Sequence, residues 1–173
     1  MQTKVVIQSQ YHASLAMLRQ AIVACPDDVW AAEVSAPQSA FWNVAYHAVF
    51  YADLYLRERE EAFRPWVGHR EESHFLGSVP WPPYGKPKPC APYTKEEVLE
   101  YVDDVVGRVD SLVDAVDLEG PSGFHWLAFG KLDLQIYNIR HVQQHAGELS
   151  ERLAARGIEL EWIGARQTAA DPT

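Results

Sequence analysis

The amino-acid sequence predicts an all-α protein, a four-helix bundle with a long crossover loop between helices 2 and 3. Three observations lead to this prediction. Four stretches carry apolar residues at intervals of three and four positions, the repeat of an amphipathic helix. No stretch shows a convincing strand-like alternation of apolar and polar residues. A connection of about 30 residues lies between the second predicted helix and the third.

Length and composition favour one soluble domain over residues 1–173, because 47% of the residues are hydrophobic and 23% are charged. The formal net charge of -9 argues against non-specific nucleic-acid binding, which needs a basic surface. No apolar run approaches the ~20 residues of a membrane span, and no leader segment opens the chain. We therefore expect no membrane partner. Cys25 and Cys90 lie far apart, and we expect a cytoplasmic protein with reduced thiols.

The first helix is predicted over residues 4–24. Its apolar positions Tyr11, Leu15, Leu18 and Ile22 share one face. Pro26 ends this helix, because a proline disfavours the helical conformation of the residue before it.

The second helix is predicted over Ser39–Glu61, with Ser39 as its N-cap. Its first half is apolar nearly all round, which is typical of a helix buried in a bundle or facing a partner. Its Trp- and Tyr-bearing faces and the following loop are more apolar than four helices need. We therefore expect a homodimer.

The crossover loop spans residues 63–93 and is too rich in proline and glycine to form a helix. It also carries Trp66, Phe75, Trp81 and Tyr84, which are too apolar for a solvated linker. Two interpretations remain equally open. The loop either covers part of a pocket, or it is a crossover that only packs on the bundle.

The third helix begins with the capping box of Thr94 and Glu97 and extends to about Val116. A second aromatic loop covers residues 118–130. The fourth helix is predicted over Lys131–Arg156, and Gly157 follows it as a C-cap. The tail, residues 165–173, is expected to fray.

The fourth helix carries His141 and His145 four residues apart, so both imidazoles lie on one face. Such a pair can share a transition-metal ion if a third ligand comes from elsewhere. The alternative is a polar surface stripe. The pattern is not the HExxH of a metalloprotease, since Val142 occupies the position of its glutamate.

The same helix must also bury a face, and Ile136, Ile139, Val142 and Leu149 are expected to pack against the bundle. A polar stripe of Tyr137, His141, His145 and Glu148 then needs partners, because unsatisfied polar groups in a bundle cost free energy.

His47 is the predicted third ligand. It lies in the middle of the apolar second helix and is the only histidine there. The alternative interpretation is that His47 is an ordinary core histidine. For His12, His69, His74 and His125 we expect packed or solvent-facing side chains, with His69 and His74 exposed in the crossover loop.

The chain resembles the DinB-like family, also called YfiT-like metal-dependent hydrolases. The resemblance covers four helices, the long connection, one histidine on the second helix, and the HxxxH followed by Gly147-Glu148-Leu149. It implies three histidine ligands, His47, His141 and His145, for one divalent ion, commonly nickel or zinc. It also implies a dimer and, in members with assigned activities, thiol-dependent transfer or isomerisation, or hydrolysis.

These features together predict a metal-dependent enzyme, of thiol-dependent transferase or hydrolase type, acting on a small-molecule substrate. Tyr51 is positioned to hydrogen-bond a bound ligand, and Asn138 and Glu148 to act beside the ligands or as acid and base. For Tyr51 and Asn138 ordinary packing is the favoured alternative. The rival function is a non-catalytic metal-binding or ligand-sensing bundle with a structural ion.

Overall fold

The computed structural model of the chain describes residues 2–32, 40–82, 84–88 and 90–167. Its described part is all-helical and has no strand. The helices are α1 (Gln2–Ala24), the one-turn α2 (Asp27–Trp30), α3 (Phe41–Tyr55), α4 (Lys95–Ala115) and α5 (Lys131–Ala154). The predicted N-cap Ser39 and the end of the predicted tail, residues 168–173, lie outside the described residues.

The four long helices pack as a bundle, which confirms the predicted fold class. Helix α1 packs on α4 and α5, and α3 packs on the same two helices. The predicted apolar face of α1 is buried, with Tyr11, Leu15, Leu18 and Ile22 all inaccessible to solvent. Because α3 and α5 are direct neighbours, His47 on one can meet the histidine pair on the other.

Helix α3 is shorter than predicted and ends at Tyr55, not near Glu61. The buried ammonium group of Lys131 holds the segment after Tyr55. It donates to the carbonyl oxygens of Arg57 at 3.1 Å and Glu58 at 2.7 Å, and also to that of Ser122. The N–H of Glu60, which a continued helix would direct to the Leu56 carbonyl, instead donates to the Gly123 carbonyl at 3.2 Å.

Almost every side chain of α3 is buried inside the chain itself, 13 of its 15 residues. Trp42 packs edge-on against Tyr93, with ring centroids 5.8 Å apart. Tyr46 stacks on the same Tyr93 ring at 4.3 Å. These apolar side chains of α3 are therefore covered by the chain's own loop, whereas Trp81 and Tyr84 of that loop are exposed.

The predicted ends of α4 and α5 agree with the structure. The hydroxyl of Thr94 accepts from the backbone N–H of Glu97 at 3.2 Å, and the Glu97 carboxylate accepts from the N–H of Thr94 at 2.7 Å. Gly157 has a φ of +78°, and the N–H of Ile158 donates to the carbonyl of Leu153 at 3.1 Å. This is the pattern of a glycine that terminates a helix.

The expected buried face of α5 is wrong at Ile136, which is 48% exposed. Gln135 and Asn138 are buried there instead. The Asn138 amide donates to the Tyr11 hydroxyl at 2.9 Å and to the Ala52 carbonyl at 3.1 Å. The Tyr11 hydroxyl in turn donates to the Gln135 side chain at 2.9 Å. Polar side chains occupy this layer because they satisfy one another across three helices.

A buried carboxylate joins α3 to α4, and the sequence patterns did not reveal it. Asp53 is 1% exposed. It accepts from Arg57 one turn along α3, from Arg108 at 3.1 Å and from the Tyr101 hydroxyl at 3.1 Å. A charge buried on a helix interior survives only when paired in this way.

Within the described residues, no helix has both the length and the apolarity needed to cross a membrane. Cys25 is buried, Cys90 is half-buried, and both are free thiols.

Candidate metal centre

The structure brings His47, His141 and His145 together between α3 and α5. One ring nitrogen from each lies within 4.8 Å of the others. The Nε2 atoms of His47 and His141 are 3.0 Å apart. His145 meets both other rings edge-on, with centroids 4.8 Å from His47 and 4.7 Å from His141. These are the three residues that the sequence predicted as ligands.

The spacing of the three donor atoms suits a single transition-metal ion. Histidine nitrogens bind zinc at about 2.0–2.1 Å, so tetrahedral ligands lie about 3.3 Å from one another. The 3.0 Å separation of the His47 and His141 nitrogens is close to that value. The residues present therefore fit the ion that this donor set would take.

The outer nitrogen of His47 is held by the backbone of the crossover loop. Its Nδ1 lies 2.6 Å from the carbonyl oxygen of His74. A carbonyl only accepts, so Nδ1 carries the proton and Nε2 keeps its lone pair. That lone pair is the one directed to His141 and available to an ion.

The outer nitrogen of His145 is held by a carboxylate. Its Nδ1 donates to Oε2 of Glu148 at 3.1 Å, and the other Glu148 oxygen pairs with Arg152. A carboxylate behind a histidine sets the tautomer and raises the basicity of the free nitrogen. Glu148 therefore lies behind His145, a candidate ligand.

His141 completes the trio without such a partner among the described residues. Its Nδ1 is buried and makes no hydrogen bond there. The ring lies parallel to that of Tyr137, with an interplanar angle of 14° and centroids 6.4 Å apart. Its orientation is held by packing and by the helix that carries it.

Burial keeps two of the imidazoles neutral. Burial first, and then the neighbouring His141, lowers the pKa of His47 to about 3. Burial, followed by the nearby His145, lowers the pKa of His141 to about 4. Neutral imidazole is the form that binds a metal ion, so the site holds these ligands ready at neutral pH.

Tyr51 and Asn138, the other predicted site residues, lie in different surroundings. The Tyr51 ring is 4.7 Å from that of His47 and 5.6 Å from that of His141, so it borders the centre. Burial raises the pKa of Tyr51 above its usual range. Asn138 is fully buried and bonds to Tyr11 and to the Ala52 carbonyl, which ties α5 to its neighbours.

The expectation that His69 and His74 are exposed is wrong, because both are half-buried against α3. The His74 ring stacks on Phe50 at 4.1 Å. The Nδ1 of His69 lies 2.7 Å from the Tyr46 hydroxyl. The apolar faces of Tyr46 and Phe50 need cover, and these two rings supply it. The apolar residues on nearly all sides of this helix were the signal in the sequence that loop side chains would cover it.

A network of hydrogen bonds, here called the clasp, holds the His74 segment in place. The Tyr93 hydroxyl accepts from the N–H of Arg70 at 2.7 Å and lies 3.2 Å from the Ser73 hydroxyl. The Arg70 guanidinium pairs with Glu97 at 2.8 Å. The Asn43 amide donates to the Ser73 carbonyl at 2.6 Å. The crossover loop therefore reaches the candidate metal centre through the His74 carbonyl.

The remaining two histidines lie apart from this trio. His12 pairs with Asp110 on α4 at 2.9 Å. The side chain of His125 is 82% exposed and lies 3.4 Å from Glu60. Both fit the packed or solvent-facing side chains expected from the sequence.

Comparison with known proteins identifies the family of the chain. No curated protein and no solved structure matches the chain. The sequence profile of the DinB superfamily matches residues 10–149, which include α3, α4, the crossover loop and all three histidines of the candidate centre. Because this match covers most of its length, the chain belongs to the DinB superfamily.

Proposed function

We propose that the protein binds one divalent metal ion through His47, His141 and His145 and acts as a metal-dependent enzyme on a small molecule. One observation carries the proposal. Three imidazole nitrogens lie within 4.8 Å of one another. Two of these rings donate their outer N–H, one to the His74 carbonyl and one to Glu148, so their free nitrogens are available to an ion.

Three neutral histidines leave coordination positions open, which is typical of a catalytic site. A bound divalent ion, nickel or zinc by resemblance to the family, lowers the pKa of a water or thiol bound to it. We propose thiol-dependent transfer, or hydrolysis, as the reaction type. Glu148 lies behind His145, where its carboxylate holds the Nδ1 proton and is the candidate acid/base group of the site.

Tyr51 and Asn138 take different roles in this proposal. Tyr51 borders both His47 and His141, so its phenol group is positioned to contact a bound substrate. Asn138 acts on the site indirectly. The hydrogen bond from its side-chain amide to the Ala52 carbonyl fixes the axial position of α5 relative to α3. This places His141 opposite His47.

Metal analysis of the purified chain, without a polyhistidine tag, tests the proposal. We expect one nickel or zinc ion per chain after supply of the metal. His47→Ala should abolish stoichiometric binding, whereas His125→Ala, at an exposed histidine outside the centre, should leave it unchanged. Well under one ion per wild-type chain would refute metal binding.

A thiol cofactor can be tested with the cobalt(II)-loaded chain. Addition of 2-mercaptoethanol should produce the near-ultraviolet absorption of a thiolate bound to cobalt, because open positions can accept the sulfur atom. An unchanged spectrum at saturating thiol would exclude direct thiol binding and favour hydrolysis.

The second candidate is a non-catalytic bundle with a structural ion or a sensed ligand. It is favoured by the location of the ligands on two helices, since an ion would cross-link α3 to α5. Circular dichroism of the metal-free chain separates the two. A helical, cooperatively melting metal-free protein supports the enzyme, and an unfolded one supports the structural ion.

We also propose a homodimer and a cytoplasmic location, the latter supported by two free thiols. Since α3 is covered, the part of the expected dimer face that stays exposed is the crossover loop with Trp81 and Tyr84. Sedimentation at micromolar concentration tests this, and a monomer alone would refute it.

A further inference from the structure

Helices α3 and α5 carry matching rows of side chains. His47, Tyr51 and Tyr55 follow one another at intervals of four on α3, and Tyr137, His141 and His145 do so on α5. Residues four apart lie one above the other on a helix. The three histidines thus meet where the two rows face each other, and Tyr51, Tyr55 and Tyr137, here called the tyrosine layer, continue the rows beside them.

The rings of the tyrosine layer are in contact with one another and with the histidines. Tyr55 lies 5.6 Å from Tyr51 and 6.0 Å from Tyr137, measured between ring centroids. Tyr51 lies 4.7 Å from His47, and Tyr137 is parallel to His141 at 6.4 Å. A molecule held by these tyrosines would therefore lie beside the candidate metal centre.

The tyrosine layer extends from the interior to the surface. Tyr55 is buried, Tyr51 is half-buried, and Tyr137 is 40% exposed. Tyr137 and His141 line a cavity of about 360 Å³ together with Arg140, Gln143 and Gln144. This cavity is open to solvent, and every residue that lines it belongs to α5. His141 therefore borders solvent on the side of Tyr137.

The cavity offers groups suited to an anion. Arg140 is its charged lining residue, and it pairs with no acidic group among the described residues. Tyrosine hydroxyls donate hydrogen bonds, and their rings supply flat apolar surface. Guanidinium binds carboxylates as a bidentate donor. Arg140 is exposed, and in a protein with a net charge of -9 its guanidinium offers an incoming acid a local positive charge.

We propose that the tyrosine layer and Arg140 bind the carboxylate group of a small organic acid with a flat apolar body. This proposal rests on the proposed function, since it names the substrate class of the same centre. The rings hold the apolar body beside the histidines. The hydroxyls and the guanidinium bind the carboxylate, which leaves the other end of the molecule near the ion.

Calorimetric titration with benzoate tests the proposal, with benzyl alcohol as an uncharged probe of the same shape. The zinc-loaded chain should bind benzoate more tightly than benzyl alcohol. Tyr51→Phe and Tyr137→Phe keep the ring and remove the hydroxyl. Each should weaken benzoate binding about tenfold, the effect of a lost hydrogen bond to a charged group. Arg140→Gln should weaken it at least as much and reduce its dependence on salt.

Tyr84→Phe is the matched control, because this tyrosine is 63% exposed in the crossover loop and should leave benzoate affinity unchanged. Equal affinities for all tyrosine variants and wild type, or no benzoate binding by the zinc-loaded chain, would overturn the proposal. Zinc content is measured in every sample. If no variant or wild type holds zinc, the proposed function fails. The tyrosine layer then stands only if hydroxyl removal still weakens benzoate binding to the metal-free chain.

Discussion

The Nδ1 atom of His47 lies 2.6 Å from the backbone carbonyl oxygen of His74, 27 residues further along the chain. This bond joins a buried helix to the crossover loop and determines which nitrogen of His47 is free. The loop is therefore part of the candidate metal centre, although it contributes no ligand side chain. Several consequences can be measured.

The clasp should influence metal affinity from a distance. Tyr93→Phe removes a hydroxyl that accepts from Arg70 and lies beside Ser73, the residue before His74. We expect weaker nickel or zinc binding, within the 10- to 100-fold range typical of outer partners. The measurement is competition with a chromophoric chelator. Tyr84→Phe, in the same loop, serves as control, and equal affinities for both variants would disprove the link.

Glu148→Gln should weaken metal binding in a similar way. The amide keeps an oxygen that can accept from His145 but loses the negative charge and the ion pair with Arg152. We expect an affinity loss of about 10- to 100-fold with an unchanged helix content. Glu151→Gln alters an exposed carboxylate on the same helix and should have no effect. A Glu148 variant that binds as tightly as wild type would remove the carboxylate from the centre.

The stability of the metal-free chain should fall in acid. Burial lowers the pKa of His47 to about 3 and that of His141 to about 4, whereas an unfolded histidine titrates near pH 6.5. Between about pH 6.5 and about pH 4 the unfolded state binds more protons. The free energy of unfolding therefore rises with pH across this window and decreases as the pH falls. The change is up to about 1.4 kcal/mol per pH unit for each histidine.

Urea unfolding of the chelator-treated protein at several pH values measures this slope. The His47→Gln/His141→Gln double variant lacks both groups and should show a flatter dependence over the same window. If wild type and double variant have the same slope, the two imidazoles are not buried in neutral form.

Asp53 should matter for stability and not for metal binding. Asp53→Asn leaves Arg57 and Arg108 without their shared buried carboxylate, which we expect to cost about 3 kcal/mol. Asp104→Asn removes an exposed partner of Arg108 and should cost less than about 1 kcal/mol. Chemical denaturation gives both values. A small effect at Asp53, or a lost metal site in a folded variant, would contradict this assignment.

The parts of the fold that could be predicted are those that leave a local pattern in the sequence. The spacing of Tyr11, Leu15 and Leu18 predicts a buried face, and the Thr94–Glu97 capping motif predicts the start of α4. The early end of α3 has no such local signal. The segment that follows it bonds instead to residues more than 60 positions away: the N–H of Glu60 to the Gly123 carbonyl, and the carbonyls of Arg57 and Glu58 to Lys131.

The candidate metal centre also has a part that could be predicted from the sequence and a part that could not. His141 and His145 are visible from their spacing, and Glu148 follows three residues later on the same face. The His74 carbonyl could not be predicted, because every residue has one and only the loop's path selects it. Ile136 was misplaced because a buried network of Gln135 and Asn138 replaced the apolar contact that periodicity favours.

The central claim is that three histidines from two helices bind one ion. A crystal of the zinc- or nickel-loaded chain, measured at the metal's absorption edge, tests it most directly through the anomalous difference map. We predict one peak per chain about 2.0–2.1 Å from the free nitrogens of His47, His141 and His145. A loaded crystal with no peak among these rings, or with the ion held elsewhere, would contradict the claim.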